Sequence, residues 1–430
     1  MSFLSAAFGP TTNGNGGYSK ILGGVPGVAP DLVPNPAIEL LPRVCLYTDS
    51  DVYAGTESHI LELARGLRLL GVPVTIAAPV PSALVSRAEP LGIRILAIPK
   101  QGLLDVAAIR IFRRLLIDGQ LDVLHAHNGR TAMAAALAVR AAGAGGGVAI
   151  ATQHFLEPNH SRHTGLKGQI SRFAHEWVAR RIHAHVAISE AVRESMIDRQ
   201  EVPPARITVV LNGISPVDPS TLLPAATVRQ NLGLSAATPL IVCMARLERE
   251  KNIETLIAAM PKVLAQVPDA QCVILGDGAR FDALHAQIIA SGAKVSSNVR
   301  LLGFRSDALS ILAAADIFVL PSLAEPFGLA IVEAMALGKP VIATRAGGPR
   351  EIVTHGQTGL VVTPEDPAEL SAALLTLLLD RPLRESMAAA GIVRFRNHFT
   401  AERMSRGMLT LYQRVVKTTR RTSGHEPASH

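Results

Sequence analysis

The 430-residue chain is poor in cysteine. Cys45, Cys243 and Cys272 are its only thiols. Each falls within a predicted strand and none has Cys-x-x-Cys spacing, which speaks against a metal or redox pair and for reduced core thiols in a cytoplasmic protein. The chain has no uncharged apolar run approaching the roughly 20 residues that a spanning helix needs. Its N-terminus has no basic region ahead of an apolar stretch, so neither export nor membrane spanning is expected. Apolar residues, by contrast, make up 48% of the chain. A chain this long can bury more than one core, and roughly 100–200 residues per domain points to two domains with appendages.

The formal charge of +7 fits nucleic acid, an anionic membrane surface or an acidic substrate, and is not concentrated enough to choose among them. Two stretches carry a noticeable share. One runs from Arg162 to His185, where Arg162, Lys167, Arg172, Arg180 and Arg181 interleave with Phe173 and Trp177; the other is the tail from Arg403 to Arg421. For each, an ordinary solvated helix face competes with a binding surface.

Residues 1–42 are rich in Gly and Pro, almost uncharged up to Lys20 and without a sustained period, as in a disordered or loosely attached leader. From Arg43 a strand pattern runs into the loop D-S-D-V-Y-A-G-T-E. A helix follows with Ile60, Leu63, Ala64, Leu67 and Leu70 on one face and Gly71 as its stop. Strands are predicted over Val74–Ala78, Ile93–Ile98, Val123–His127, Ala149–Gln153, His185–Ile188 and Ile207–Leu211. Their alternation with helical patterns over residues 43–213 predicts a parallel sheet covered on both faces. Four prolines mark residues 214–239 as a linker. A second alternation fills 240–400, and residues 401–430 read as a last helix, packing back on the first domain, with a flexible tail. Two doubly wound units in tandem place a cleft between their carboxyl edges.

The densest motif is Leu320–Glu333, L-P-S-L-A-E-P-F-G-L-A-I-V-E, where a buried strand ends at Pro321 and a helix starts near Phe327. Glu325 lies in the loop at the strand's carboxyl end, Phe327, Gly328 and Leu329 offer free backbone N–H groups, and Glu333 follows along the helix. A helix mouth at the carboxyl edge of a parallel sheet suits phosphate and sugar oxygens, and two carboxylates beside it can accept bonds from hydroxyls. Arg246 and Lys251 follow another strand end, where a guanidinium fork and a flexible ammonium suit a diphosphate. Glu248, Arg249 and Glu250 between them leave a surface charge cluster as the competing reading.

Gly55 sits where the first strand turns into its helix and would let the backbone approach a phosphate; an ordinary loop glycine is the alternative. His125 and His127 point the same way from one strand, His127 nearer its carboxyl end over the cleft, with His154 as a second cleft histidine; His125 reads as core. Asp49 and Asp51 form an Asp-x-Asp, but two alternating units with a separate Arg/Lys loop argue against a metal site there. These acids read instead as lining the acceptor side of the cleft or capping the loop.

Together these motifs resemble the large family of bacterial GT-B glycosyltransferases that use nucleotide-sugar donors with retention. Carrying the resemblance are the Glu-x7-Glu pair Glu325 and Glu333, the A-R-L-E-R-E-K loop, and weaker matches at Gly55, His127, Ser189, Asn212, Asp277, Gly303 and Gly347. Where the family often has Gly, this chain has Ala245 and Asn252, and it has Ala54-Gly55 where many relatives have Gly-Gly. The resemblance covers all but the leader. It implies an α/β fold of two Rossmann-like doubly wound domains and transfer of a glycosyl unit from a nucleotide diphosphate sugar, UDP-linked on family frequency, to a sugar or lipid-linked glycan acceptor.

By the same resemblance, Glu325 and the backbone after it hold sugar hydroxyls, Glu333 the ribose, Arg246, Lys251 and Gly55 the diphosphate, Gly303 and Phe304 the base, and His127 contacts the sugar or takes part in catalysis. No cofactor, metal or nucleic-acid partner is expected, and the enzyme would lie in the cytoplasm, peripheral on an anionic inner membrane face. A sugar epimerase or phosphorylase of the same architecture, or a basic nucleic-acid-binding or scaffold protein, are the rival readings.

Overall fold

The computed structural model describes residues 41–99, 105–143, 145–156, 176–200 and 202–422; the leader lies outside them save its last two residues. Strands β1 (Val44–Tyr47), β2 (Val74–Ala78), β3 (Arg94–Ala97), β4 (Val123–Ala126), β5 (Val148–Gln153), β6 (Ala184–Ala187) and β7 (Ile207–Val209) form a parallel sheet of order β3-β2-β1-β4-β5-β6-β7. Strands β8 (Leu240–Met244), β9 (Gln271–Leu275), β10 (Val299–Leu301), β11 (Ile317–Leu320), β12 (Val341–Thr344) and β13 (Gly359–Val362) form a second parallel sheet of order β10-β9-β8-β11-β12-β13. The central strands are short runs such as Ile-Phe-Val-Leu in β11, buried throughout, because helices cover both faces. Cys45, Cys243 and Cys272 are buried and unpaired in these strands. Burial pushes the Cys45 and Cys243 thiols up to about 12, so they pack as small apolar groups.

Strand order reverses between β1 and β4 and between β8 and β11. Loops leaving such neighbouring strands run to opposite faces and open a crevice at the carboxyl edge, where α/β sheets bind ligands. Residues after these four strands are therefore the ones the topology gathers.

The proline-rich stretch 214–239 carries structure of its own. Its helix Ala225–Asn231 buries Val228, with Leu232 beyond it, in one cluster with Leu240 and Ile311. Arg229 pairs with Asp316 at 2.9 Å, just ahead of β11. An apolar pair on a seven-residue helix is too short a signal for periodicity to register beside four prolines.

The last helix, Ala401–Thr422, lies on the helix Gly55–Leu69 of the first half. Met404, Met408, Leu411 and Tyr412 share its core with Ile60, Leu63 and Leu67. A Cβ on Gly66 would overlap the Ser405 side chain, so the two helices cross at a glycine. The chain thus passes between the halves twice, and the passages are bonded to each other. The Ile214 amide donates to the Phe399 carbonyl at 3.0 Å and the Ala401 amide to the Ile214 carbonyl at 2.8 Å. A Cβ on Gly213 would fall inside the Thr400 carbonyl, which has no room to retreat. Gly213→Ala is expected to destabilise the protein by about 1–3 kcal/mol through this overpacking, read as a lower urea midpoint at unchanged slope. An unaltered midpoint would mean that the crossing is slack.

Candidate active site

The second half supplies one wall. Beyond β8, Arg246 stays at the rim and reaches Glu250 at 2.9 Å, both side chains exposed. Lys251 turns inward, its Nζ 2.5 Å from Oε2 of Glu325, with both side chains largely buried. The turn just after Lys251 rests on Asn252, which takes a left-handed φ of 50°. Asparagine is among the few residues other than glycine that tolerate this, so it stands in for the glycine common in related sequences. Its Nδ2 donates to the Pro321 carbonyl at 3.2 Å, tying the loop after β8 to the loop after β11.

Glu325 is fixed by its backbone as much as by Lys251. Its amide donates to the Ala346 carbonyl at 3.2 Å, its carbonyl accepts from Gly348 at 2.8 Å, and Ser322 Oγ donates to Oε2 at 3.3 Å. Gly347, at φ 83°, and Gly348 leave no space for a Cβ against Glu325 and Phe327, which explains the Gly-Gly pair of the A-G-G-P motif. Phe327 points its ring into the core, edge-on to Phe399 at 6.1 Å, so only its backbone is available to a ligand. The amides of Phe327, Gly328, Leu329 and Ala330 have no acceptor among the described residues. They open the helix Leu329–Ala336, a position that favours anions.

Glu333 lies one turn further along, partly accessible. Burial, with Glu62 of the first half close by, pushes its carboxyl up to about 7. Gly303, at φ 66°, accepts from the Gly276 amide at 2.9 Å and leaves Phe304 at the surface with 71% of its area exposed. An exposed aromatic beside a strand end is a free stacking face.

Gly55 of the first half stands opposite. A Cβ placed there would reach Cδ1 of Leu329 at 4.0 Å, so the two helix mouths face each other. The V-A-I-S-E-A-V motif has a different duty from ligand binding. Ser189 Oγ donates to the Pro326 carbonyl at 2.6 Å, and the Glu351 carboxylate accepts from the Glu190 and Ala191 amides at 2.8 Å, so each half caps the other.

The histidines gather behind this opening. His127 lies just past the end of β4, buried, with Nδ1 3.2 Å from Nε2 of His154. His125 is bonded at both ring nitrogens, to Thr152 and to Tyr412 of the last helix at 2.7 Å each, and is core. His59, which the sequence reading passed over, joins His127 and His154, its Nδ1 2.8 Å from Asn212 Oδ1. The available signal was its place one helical turn after Gly55, on the face that turns inward. Burial holds all four rings well below the usual histidine range, His59 at about 4.

Asp49 is engaged by Asn128 at 2.7 Å and Arg130 at 2.8 Å, which brace the loop after β1 against the helix after β4. In the basic segment, Arg181 lies 3.8 Å above the Trp177 ring, while Arg162, Lys167, Arg172 and Phe173 fall outside the described residues. Among the described residues no helix is long and apolar enough to cross a membrane.

Residues 225–394 match the family described as Glycosyl transferases group 1, and residues 53–217 that described as Glycosyltransferase Family 4. The phosphatidyl-myo-inositol mannosyltransferase of Mycobacterium leprae is 30% identical over 370 residues, 81% of this chain and 90% of that protein. The chain belongs to the glycosyl transferases group 1 family. This glycosyltransferase is also 40% identical, over 193 residues, to a GDP-mannose-dependent monoacylated alpha-(1-6)-phosphatidylinositol monomannoside mannosyltransferase of Corynebacterium glutamicum. That match spans 43% of this chain and 48% of the relative, about half of each. A glycosyltransferase structure from Rickettsia africae superposes with a TM-score of 0.76 at 20% identity, covering 88% of this chain and all of the other. Sucrose-phosphate synthase from Thermosynechococcus elongatus gives 0.71 at 21% identity over 88% of this chain and all of its own. The glycosyltransferase therefore has the GT-B fold of two Rossmann-like domains.

Proposed function

We propose that this glycosyltransferase moves a mannosyl unit from GDP-mannose to a hydroxyl of a lipid-linked acceptor, with retention of anomeric configuration. The observation that carries the site is the junction at which Lys251 meets Glu325, just ahead in the chain of four amides with no acceptor among the described residues, with Gly55 facing Leu329 from the other half. A diphosphate fits this junction. Its negative charge grows as the glycosidic bond breaks, and Lys251, the Arg246 fork at the rim and the amides of the two helix mouths are placed to stabilise it. Glu325 accepts bonds from sugar hydroxyls, Glu333 from the ribose, and Phe304 stacks on the base. His127 meets the sugar from the first half. The leaving phosphate takes the acceptor proton, and both glutamates act as positioners. Closure of the halves over the donor excludes water and limits hydrolysis.

Family frequency favours a UDP-sugar. The GDP-mannose of the Corynebacterium relative's name weighs more here, because it belongs to a sequence 40% identical over its matched length. The acceptor class follows the phosphatidylinositol substrates named for that protein and its mycobacterial counterparts. Arg181 and Trp177 provide a cationic and aromatic face suited to an anionic bilayer, which supports a peripheral position at the inner membrane surface.

A panel of nucleotide sugars, assayed with and without phosphatidylinositol vesicles, tests the reading. GDP-mannose turnover that depends on the vesicles is expected, with the product's anomeric configuration read by NMR. Faster consumption of a UDP-sugar would reverse the choice of donor, and inversion at the anomeric carbon would remove the proposed mechanism.

A further inference from the structure

Three histidines from separate parts of the first half converge in its interior: His59 from the helix Gly55–Leu69, His127 from the end of β4 and His154 from the end of β5. One ring nitrogen of each lies within 4.8 Å of those of the other two, and all three residues are buried. Their hydrogen bonding is incomplete. Nε2 of His59 and Nε2 of His127 are buried with no hydrogen-bond partner among the described residues. An orphaned buried imidazole nitrogen is destabilising, and two in one cluster need a reason.

We propose that His59, His127 and His154 form a binding site for a borderline transition-metal ion, Zn²⁺ or Co²⁺, between the carboxyl ends of β4 and β5 and the first helix. Three chemical features support it. Imidazole nitrogen is a preferred donor for these ions, and three histidines with one open position form a common tetrahedral set. The three rings lie buried in one place, so little has to be ordered before they ligate. His59 also has the outer partner that a metal-binding histidine usually has. Its Nδ1–H donates to Asn212 Oδ1 at 2.8 Å, which fixes the tautomer and leaves Nε2 as a lone pair facing the other two rings. Asn212 opens the L-N-G-I motif, and this bond gives that motif a role.

Zn–N bonds of about 2.0–2.1 Å set tetrahedral nitrogens roughly 3.4 Å apart. The nitrogens, up to 4.8 Å apart, must therefore draw in by as much as about 1.4 Å. A small anionic oxygen ligand in the fourth position would also offset the buried charge. Because His127 belongs to the proposed sugar-contacting set, an occupied site would compete with donor binding. Metal binding itself does not depend on that function.

The full-length protein, stripped with chelator, is titrated with Co²⁺ and followed by the visible absorption of tetrahedral cobalt, then with Zn²⁺ in competition. Stoichiometric binding is expected, with a rise in melting temperature on Zn²⁺ addition. His59→Gln and His154→Gln should each weaken binding at least tenfold, and Asn212→Ala about tenfold or more. His285→Gln, on the exposed face of its helix, should bind as wild type. Wild-type protein that gives neither the cobalt band nor a thermal shift overturns the proposal even if the variants fail to fold. So does binding that persists in both His59→Gln and His154→Gln. Metal binding in a protein that turns over no nucleotide sugar would refute the proposed function and leave this site standing.

Discussion

Lys251→Ala is expected to lower kcat/KM by about 10³-fold, the largest single effect in the molecule. In the structure its ammonium is held against Glu325 at 2.5 Å. On the proposed function, a diphosphate bound at the amides of Phe327 to Ala330 would compete for that ammonium as its own charge grows. The contact is therefore worth more in the transition state than in the ground state, and its loss falls on kcat as well as on KM. Breaking the pair also leaves Glu325 enclosed without its cation, at a cost of up to roughly 3–5 kcal/mol for a fully buried pair and less here because both side chains keep slight access to solvent. Lys251→Arg should recover stability better than activity, since a planar fork cannot follow the ammonium's path between carboxylate and phosphate. Steady-state kinetics beside urea unfolding separates the two effects. Lys251→Ala within tenfold of wild type in kcat/KM would mean that the diphosphate lies elsewhere.

The second large effect concerns Glu333, whose carboxyl is pushed up to about 7 by burial and by Glu62. The folded state keeps this proton through a window in which the unfolded chain has lost it. Its contribution to stability is thus fully present below the ordinary carboxyl range and is lost as pH rises towards 7, by at most about 3 kcal/mol. Donor binding has the opposite sign. Ribose hydroxyls donate to an ionised carboxylate, so KM for the donor should fall about tenfold between roughly pH 6 and pH 8, following the ionised fraction of a group titrating near 7. Glu333→Gln should flatten this profile and raise the melting temperature above neutral pH. If the glutamine variant keeps the full pH dependence, another group is responsible.

Much of this was legible in the sequence for a physical reason. Short apolar runs flanked by Gly, Asn and Pro define buried parallel strands, and residues just past such strands collect at one edge of a sheet. Arg246, Lys251, Glu325 and His127 could be placed in this way, because position relative to a strand end is a local property. What escaped was non-local. His59 looks like any polar residue near a helix start until β4 and β5 bring His127 and His154 to it. Ser189 and Pro326, and likewise Ala191 and Glu351, are separated by the whole linker and meet only because the two halves do. The same holds for Lys251, whose proximity to Glu325 depends on Asn252 adopting a glycine-like turn.

The paired passages at Gly213 and Thr400 bear on how such proteins can be recombined. The helix Ala401–Thr422 is translated after the second sheet, yet it completes the apolar surface of the half that precedes that sheet, through Met404, Met408 and Tyr412. A first half excised at the linker would expose the stripe of Ile60, Leu63 and Leu67 to water. An exchange of first halves between relatives must therefore move two separate pieces of sequence as one unit, and a chimera joined at a single point inherits a mismatched helix seam.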